Sequence, residues 1–516
     1  MSITKTRIEE RRASIPARLL DAVERVGNRL PDPLTLFVLL IGLVLVASWV
    51  AARMGAAVAH PQTGEEIAAV DLLSRGSIQR ILQEMPQTFM AFPPLGLVLV
   101  VMLGIGVAER TGLIAAALRA FLRGVPRSLV TAAVVLASLL SSLAVDAGYV
   151  VLIPLGAVIF HSMGRHPIAG LAVAFAGVSG GFSANLLLTS LDPLLAGFTE
   201  PAAQIIDPSY TVDPTANWYL MAALVPVLVA AGTFVTDRII EPRLGEYRGT
   251  PEADGTEAEE NPLTPEVERK GLIAAGAALL FVILAIVAMA APSNGILRGE
   301  NGEIQPFLSS IVALMLFFFL LPGLAFGIAT GSIRSDRDAA RMTAESMGSM
   351  GAYIALAFAM AHFIAFFNWS NLGIILAITG AKGLEAANFT GIPLIVSFVF
   401  LAAFVNLFIG SASAKWAVMA PIFVPMLMLL GYSPELVQAA YRVGDSFTNI
   451  ITPLLPYFPL IIIFARKYDR SLGIGSIIST MLPYSIAFGV VTTVMLVVWI
   501  LAGLPLGPGA PLYYHP

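Results

Sequence analysis

The residues that could do chemistry in this chain stand inside otherwise apolar sequence. Asp445 lies in the run Arg442-Val443-Gly444-Asp445-Ser446-Phe447-Thr448-Asn449. As a carboxylate it can bind Na⁺ together with backbone carbonyls and Asn449, or it can take up and release a proton. An ionisable side chain at membrane depth costs roughly 2.5–3.5 kcal/mol on insertion scales, so it needs a local use. The competing reading is an ion pair with Arg442, three residues earlier on the same helical face. Arg442 can instead clamp a carboxylate bidentately. Asp192 precedes Pro193 after a second interrupted run, Gly177–Asn185, and on its residues alone reads as a helix cap near the outer interface. In Ser411-Ala412-Ser413-Ala414-Lys415-Trp416, the indole of Trp416 offers a stacking face and an N–H donor. Ser413 can donate to a carboxylate or sulfonyl group. Packing for Trp416 and backbone capping for Ser413 are the plainer alternatives. Lys415 is expected to snorkel from a hairpin tip to water, with a substrate contact as the lesser reading. Asp146 reads as a counterpart of the Ser413 region.

The elements that must carry these groups follow from composition. The chain has 516 residues, 57% hydrophobic and only 12% charged, with a net charge of −4. Soluble domains carry about 25% charged residues, and apolar runs of about twenty residues suffice to cross a bilayer as helix. With no cysteine, disulfides, thiolate metal sites and thiol redox chemistry are excluded. His60, His161, His166, His362 and His515 show no metal-ligand spacing. A Walker loop, an intramembrane hydrolase pattern and a basic patch with aromatics are all missing, so ATP-driven transport, enzymatic activity and nucleic-acid binding are disfavoured. Residues 1–32 are polar and read as a cytoplasmic tail, not a signal peptide.

Plain spans are expected near 33–52, 93–108, 217–237, 271–291, 307–330, 343–367 and 475–501. Residues 111–124 read as an interfacial helix, and the acidic stretch 244–267 as a cytoplasmic linker. Residues 128–199 and 390–465 are too long for one crossing and are broken by Gly, Pro, Ser, Asn and Asp. Each reads as a re-entrant hairpin followed by a broken helix. The expectation is an all-α polytopic membrane protein with about nine transmembrane helices and two re-entrant hairpins. With the N-terminus inside, most of the 30 Lys and Arg fall in cytoplasmic segments, which places the C-terminus outside.

The two long regions correspond. Ala144–Pro154 and Ser411–Pro421 both pass from a small, polar tip into an apolar arm ending at proline. Further on, Gly177–Asn185 leads to Asp192-Pro193, and Arg442–Asn449 leads to Pro453 and Pro456. The assigned topology makes them an inverted repeat. Unwound backbone is tolerated in a bilayer only inside protein or beside a water-filled cavity. Matched breaks in two halves are the best sequence pointer to a carrier's binding site. Pro434 and Pro453 are expected to set helix geometry there, with Pro434 grouped among the substrate-site residues and Asn185 as a secondary candidate.

The segments Gly177–Pro193, Asn406–Trp416 and Tyr441–Pro456 resemble the AbgT family of p-aminobenzoyl-glutamate transporters and antimetabolite exporters, over nearly the whole chain. The divalent anion/sodium symporters are similar in layout but carry Ser-Asn-Thr at both tips, where this chain has Ala144-Val145-Asp146 and Ser411-Ala412-Ser413. The resemblance implies a homodimer in the bacterial inner membrane. It implies movement of p-aminobenzoyl-glutamate or of sulfonamide-like antimetabolites on a Na⁺ or proton gradient, with no other cofactor. It assigns Asp445 and Asp192 to transport and Asn406 to the site. Substrate is thus assigned to Trp416, Ser413, Asn406, Arg442 and Pro434, and the coupling cation to Asp445, Asn449 and Asp192. A sodium-coupled dicarboxylate symporter and a Na⁺/H⁺ exchanger without organic substrate are the alternatives. The expected partition is a tail (1–32), scaffold helices (33–127), transport repeat one (128–199), a scaffold helix (200–242), linker (243–268), scaffold and connecting helices (269–389), transport repeat two (390–465), and a last helix with external C-terminus (466–516).

Overall fold

The protein is seen in a computed structural model that describes residues 31, 33–59, 64–123, 125–143, 148–247, 264–452, 454–455 and 457–515. The expected tip with Asp146, the proline at 453 and most of the linker lie outside the described residues. The only strands among those described are β1 (Ala57–Ala59) and β2 (Glu66–Ala68), an antiparallel pair. The first half contributes helices α1 (Pro33–Arg53), α2 (Arg75–Met90), α3 (Pro93–Arg110), α4 (Leu113–Arg123), α5 (Val130–Leu140), α6 (Ile153–Ser162), α7 (Pro167–Phe175), α8 (Leu191–Ala203) and α9 (Trp218–Val235). After the linker come α10 (Pro265–Ala290), α11 (Ile311–Thr330), α12 (Asp336–Ser349), α13 (Gly351–Trp369), α14 (Leu372–Ala386), α15 (Gly391–Asn406), α16 (Ala412–Leu429), α17 (Pro434–Phe447), α18 (Phe458–Arg466) and α19 (Ile474–Leu501).

Eight helical stretches among the described residues are long and apolar enough to cross a membrane, and a ninth appears if the sharply bent pair α4–α5 counts as one span. That agrees with a polytopic all-α protein of about nine spans. Two expectations need correction. Residues 343–367 are not one span: Ser335 caps the separate, charge-rich α12, and α13 starts afresh at Gly351. Beyond the last of the expected plain spans in this stretch, within the region read as scaffold and connecting helices (269–389), lies α14, which is not among those spans and packs along α16. Its second half carries Gly380, Lys382, Gly383 and Glu385, which hide a helix that buries Leu372, Ile374 and Ile378 on its other face.

Two kinds of packing surround the site. Helices α3, α10 and α11 stack on one another through small residues; a Cβ on Gly104 would lie 2.5 Å from the Leu316 carbonyl oxygen. Helix α8 is gripped between α3 and α16, while α17 lies against α15, α16 and α19. The first expected interruption is present, but the second is displaced. Arg442–Phe447, expected within it, lie in regular helix α17, where Gly444 serves close packing on α15, and the backbone leaves the helix only at Thr448. Past α7 one π-helical turn runs to Gly180, and regular helix resumes only at Leu191. Past α17 it resumes only at Phe458. The irregular backbone is buried in protein at Ser179, Ser183, Asn185 and Thr452, as unwound chain inside a bilayer requires.

Candidate functional site

Helix α17 carries the densest polar chemistry, and every one of its residues is buried. Its start is well made: the Ser433 side chain accepts from the Leu436 N–H, and Pro434 sits at the first position, where a missing N–H costs nothing. Pro434 therefore shapes the helix entry and does not face an open cavity. The C-terminal tail reinforces this entry. Ser433 donates from its hydroxyl to the Pro511 carbonyl at 2.6 Å and from its N–H to the Leu512 carbonyl at 3.1 Å, while Leu506 and Leu512 are buried. Gly444 lets α17 approach α15 backbone to backbone, since a Cβ there would lie 2.2 Å from the Val399 carbonyl oxygen.

That close approach brings Asn406, at the end of α15, onto Asp445. The Asn406 amide nitrogen donates to the Asp445 carbonyl at 2.6 Å, and it reaches Thr448 Oγ1 and Asn449 Oδ1, each at 2.8 Å. Its oxygen accepts from Lys415 Nζ, which also pairs with Asp445 Oδ1. Lys415 is thus not a snorkelling tip residue. It is fully buried because the first turn of α16 packs against α17, and its ammonium finds a carboxylate there. Nor does Asp445 pair with Arg442, its neighbour along the helix.

Arg442 points instead to α8. Its Nη1 donates to Asp192 Oδ1 at 2.7 Å, and its Nη2 to the Ser183 carbonyl at 3.2 Å. The other oxygen of Asp192 accepts from the Thr189 N–H at 2.6 Å and from the Thr189 hydroxyl at 2.9 Å. Asp192, in the first turn of α8, therefore holds the turn at Thr189 that leads into the helix and is one half of a buried ion pair; it does not cap the helix itself. The Arg442 Nε–H and the Ser183 hydroxyl are buried without partners, leaving spare hydrogen-bonding capacity beside the pair.

Trp416 is wholly buried and stacks on Tyr441, with ring centroids 4.5 Å apart and planes 24° from parallel. Its indole N–H donates to Thr199 Oγ1 at 2.9 Å. Thr199 lies 2.5 Å from Gln438 Oε1, Gln438 donates to Asn217 at 2.9 Å, and Asn217 donates to the Glu435 carbonyl at 2.8 Å. The Tyr441 hydroxyl donates to the Ala412 carbonyl at 2.5 Å and lies 3.3 Å from Asp445 Oδ1. Trp416 and Tyr441 thereby fix the start of α16 onto α8 and α17.

Above this floor is a cavity of about 340 Å³. Its walls include Val98 and Met102 of α3, Glu109, Ser142, Phe182, Thr189, Tyr353 and, from the first turn of α16, Ala412 and Ser413. Ser413 lines the cavity directly. Trp416, Asn406, Arg442, Asp445 and Asn449 are not part of its lining. Asn185 accepts from Ser142 at 2.6 Å, tying the first break to the end of the α5 segment. The two breaks also meet: Asn449 Nδ2 donates to the Ser179 carbonyl at 3.3 Å. Sequence reasoning missed Tyr441, Thr189, Thr199 and Gln438. Tyr441 alone carried a signal, standing four residues before Asp445 and hence one turn away on its face.

The comparisons with known proteins agree over the whole chain. The model of the AbgT transporter family matches residues 18–514. The chain is 39% identical over 505 residues to the p-aminobenzoyl-glutamate transport protein of Escherichia coli (strain K12), covering 96% of this chain and 98% of that protein. Among solved structures it resembles the YdaH transporter of Alcanivorax borkumensis, with a TM-score of 0.88, 41% identity, and 93% of this chain and 100% of that chain covered. It also resembles MtrF of Neisseria gonorrhoeae, described with a class of antimetabolite efflux pumps, at a TM-score of 0.90 and 48% identity, covering 96% of this chain and 100% of that one.

Proposed function

Because the chain belongs to the AbgT family of membrane transporters, and its relatives are carriers, not enzymes, we propose that it is an ion-coupled carrier for p-aminobenzoyl-glutamate or related aromatic antimetabolites. The observation that carries this reading is the cavity between α3 and the first turn of α16. Its volume falls within the 300–1,000 Å³ of small-molecule sites. Its apolar wall suits an aromatic ring; Ser413, Thr189, Ser190 and Ser142 supply hydroxyls, and Glu109 is the carboxylate of the lining, able to accept from a substrate amine.

In this reading the aminobenzoyl ring lies along Val98, Met102 and Phe182, and Ser413 donates to a carboxylate or sulfonyl oxygen. Trp416 and Tyr441 hold the tip in place beneath the ring. Arg442, with its spare Nε–H, faces the substrate's acidic end when the Asp192 pair loosens. Asn406, Asp445, Asn449 and Asp192 form the coupling machinery. The protein works as a homodimer in a bacterial inner membrane, with its N-terminus in the cytoplasm and the elements of 128–199 and 390–465 moving as inverted repeats against a scaffold. The Lys and Arg distribution supports that orientation.

The experiment is uptake and efflux of labelled p-aminobenzoyl-glutamate and of a sulfonamide in proteoliposomes, with Na⁺ and proton gradients imposed separately. Flux of either compound that rises with one gradient and falls in Asp445→Ala is expected. Flux indifferent to both gradients, or unchanged in Asp445→Ala, overturns the reading.

A further inference from the structure

A Na⁺ ion coupled through Asp445 would need oxygens that converge on it and are free of other cations. The oxygens here do not meet that need. Asp445 Oδ1 and Asn406 Oδ1 both turn toward Lys415 Nζ. Asn449 Oδ1 and Thr448 Oγ1 each accept from the Asn406 amide nitrogen at 2.8 Å. The Asn406 amide cannot be reversed without loss, because its nitrogen faces three acceptors and the ammonium has only donors to offer. Two oxygens of this cage, Asp445 Oδ1 and Asn406 Oδ1, thus already face a positive charge, and the other two are held by the Asn406 amide.

We infer that the Lys415 ammonium is the built-in cation of this cage, standing where a coupling Na⁺ would sit, and that it makes the site selective against Na⁺. Lys415 and Asp445 are almost wholly buried, with side-chain exposures of 0% and 2%, so water cannot screen a second cation placed beside the first. Arg442, the buried cation of α17, is taken by Asp192. Among the described residues, Lys415 is the one basic side chain paired with Asp445. Tyr441 links the cage to the cavity, since its hydroxyl touches both Asp445 and the backbone of Ala412. The cation bound at Asp445 therefore bears on the tip that lines the substrate cavity. Lys415 is a specificity-determining residue for the coupling ion; it acts through Asp445 and does not touch substrate.

The inference deepens the carrier reading, but its test needs no transport. The purified full chain in detergent is assayed for ²²Na⁺ binding and for thermal unfolding in NaCl against choline chloride at equal ionic strength. The wild type is expected to show background ²²Na⁺ binding and the same Tm in both salts. Lys415→Met, which leaves Asp445 and Asn406 facing the vacated position, should gain saturable ²²Na⁺ binding and a Na⁺-dependent rise in Tm. The double variant Lys415→Met/Asp445→Asn removes the pair as a pair, buries no lone charge, and should lose that gain. Saturable ²²Na⁺ binding to the wild type that disappears in Asp445→Asn overturns the inference even if Lys415→Met does not fold. A folded Lys415→Met that gains no Na⁺ response overturns it as well. If these results hold while no labelled substrate moves in vesicles, only the carrier reading is lost.

Discussion

Arg442 and Asp192 stand 250 residues apart in sequence and form one buried ion pair, 2.7 Å between nitrogen and oxygen, that ties the second interrupted helix to the first. Neither residue reaches the other by local sequence logic. Breaking such a pair on one side typically costs 3–5 kcal/mol, because the remaining charge is left uncompensated, whereas removing both charges is often nearly neutral. Asp192→Asn is therefore expected to lower the thermal stability of the detergent-solubilised protein severely. Asp192→Asn/Arg442→Gln should recover most of that loss while still failing to transport. Thermal unfolding and vesicle flux, measured on both variants, check the two halves of this expectation.

Trp416 is enclosed, so its substitution should register first in stability. Trp416→Phe keeps a ring on Tyr441 and gives up the bond to Thr199, a loss of about 1 kcal/mol. Trp416→Ala empties the space beneath the tip and should cost about 3–5 kcal/mol. Flux kinetics on Trp416→Phe should show KM close to wild type. A large rise in KM with unchanged Tm would place the indole against substrate instead.

Ser413 presents the opposite case. It lines the cavity and is only half-buried, so Ser413→Ala should change stability by less than about 0.5 kcal/mol. Its effect should appear as a raised KM for the carboxylate-bearing substrate. Parallel Tm and KM measurements separate this from a capping role, which belongs to Ser411, whose hydroxyl accepts from the Ala414 N–H.

His166 gives the fold a pH dependence of known sign. It caps α7 by accepting from the Ile168 N–H at 3.2 Å, which requires an unprotonated Nδ1. Burial holds the imidazole below its ordinary value, against the opposing pull of Glu241 and Asp469. Below about pH 6.5 the unfolded chain binds a proton that the folded chain refuses, so stability falls as pH drops from there toward the folded pKa and then levels off. His166→Asn keeps a capping side chain and should remove this component. The measurement is the difference between the two Tm–pH curves from pH 5 to 8.

The tail after α19 should matter more than its position suggests. Deleting residues 505–516 removes buried Leu506 and Leu512, worth on the order of 3–6 kcal/mol together, and the carbonyls that hold Ser433. Limited proteolysis near Gly431 and a lower Tm are the expected readouts.

Much of this arrangement could be read from the sequence, for physical reasons. Gly, Pro, Ser and Asn within apolar runs cannot be ignored by a bilayer, so the interruption after α7 announced itself, while the one after α17 was read a few residues too early because Gly444 serves helix packing there. Asp445 and Asn449 stood out as polar groups in that run; Asn406 came from the family resemblance alone. The partners did not. Helical spacing favours Arg442 with Asp445, but three-dimensional packing gave Asp445 to Lys415 and Arg442 to Asp192. Those choices depend on how α16, α8 and α17 cross, and no local period encodes a crossing. Lys415 was misjudged for the same cause, since a lysine beside a tip is free to reach water unless a carboxylate from another helix already waits for it. Helix α14 was hidden by its own glycines and charges, whose cost is met by the apolar face it lays on α16.

The bond from Asn449 to the Ser179 carbonyl has a mechanical consequence. It stitches one loosened backbone to the other, with Arg442 and Asp192 as a second stitch a few turns away. A stroke that shifted either segment alone would tear both seams. If the chain works as the carrier proposed above, the pair would ride as one piece, with the sliding boundary outside it, along the face that α8 and the first turn of α16 present to α3.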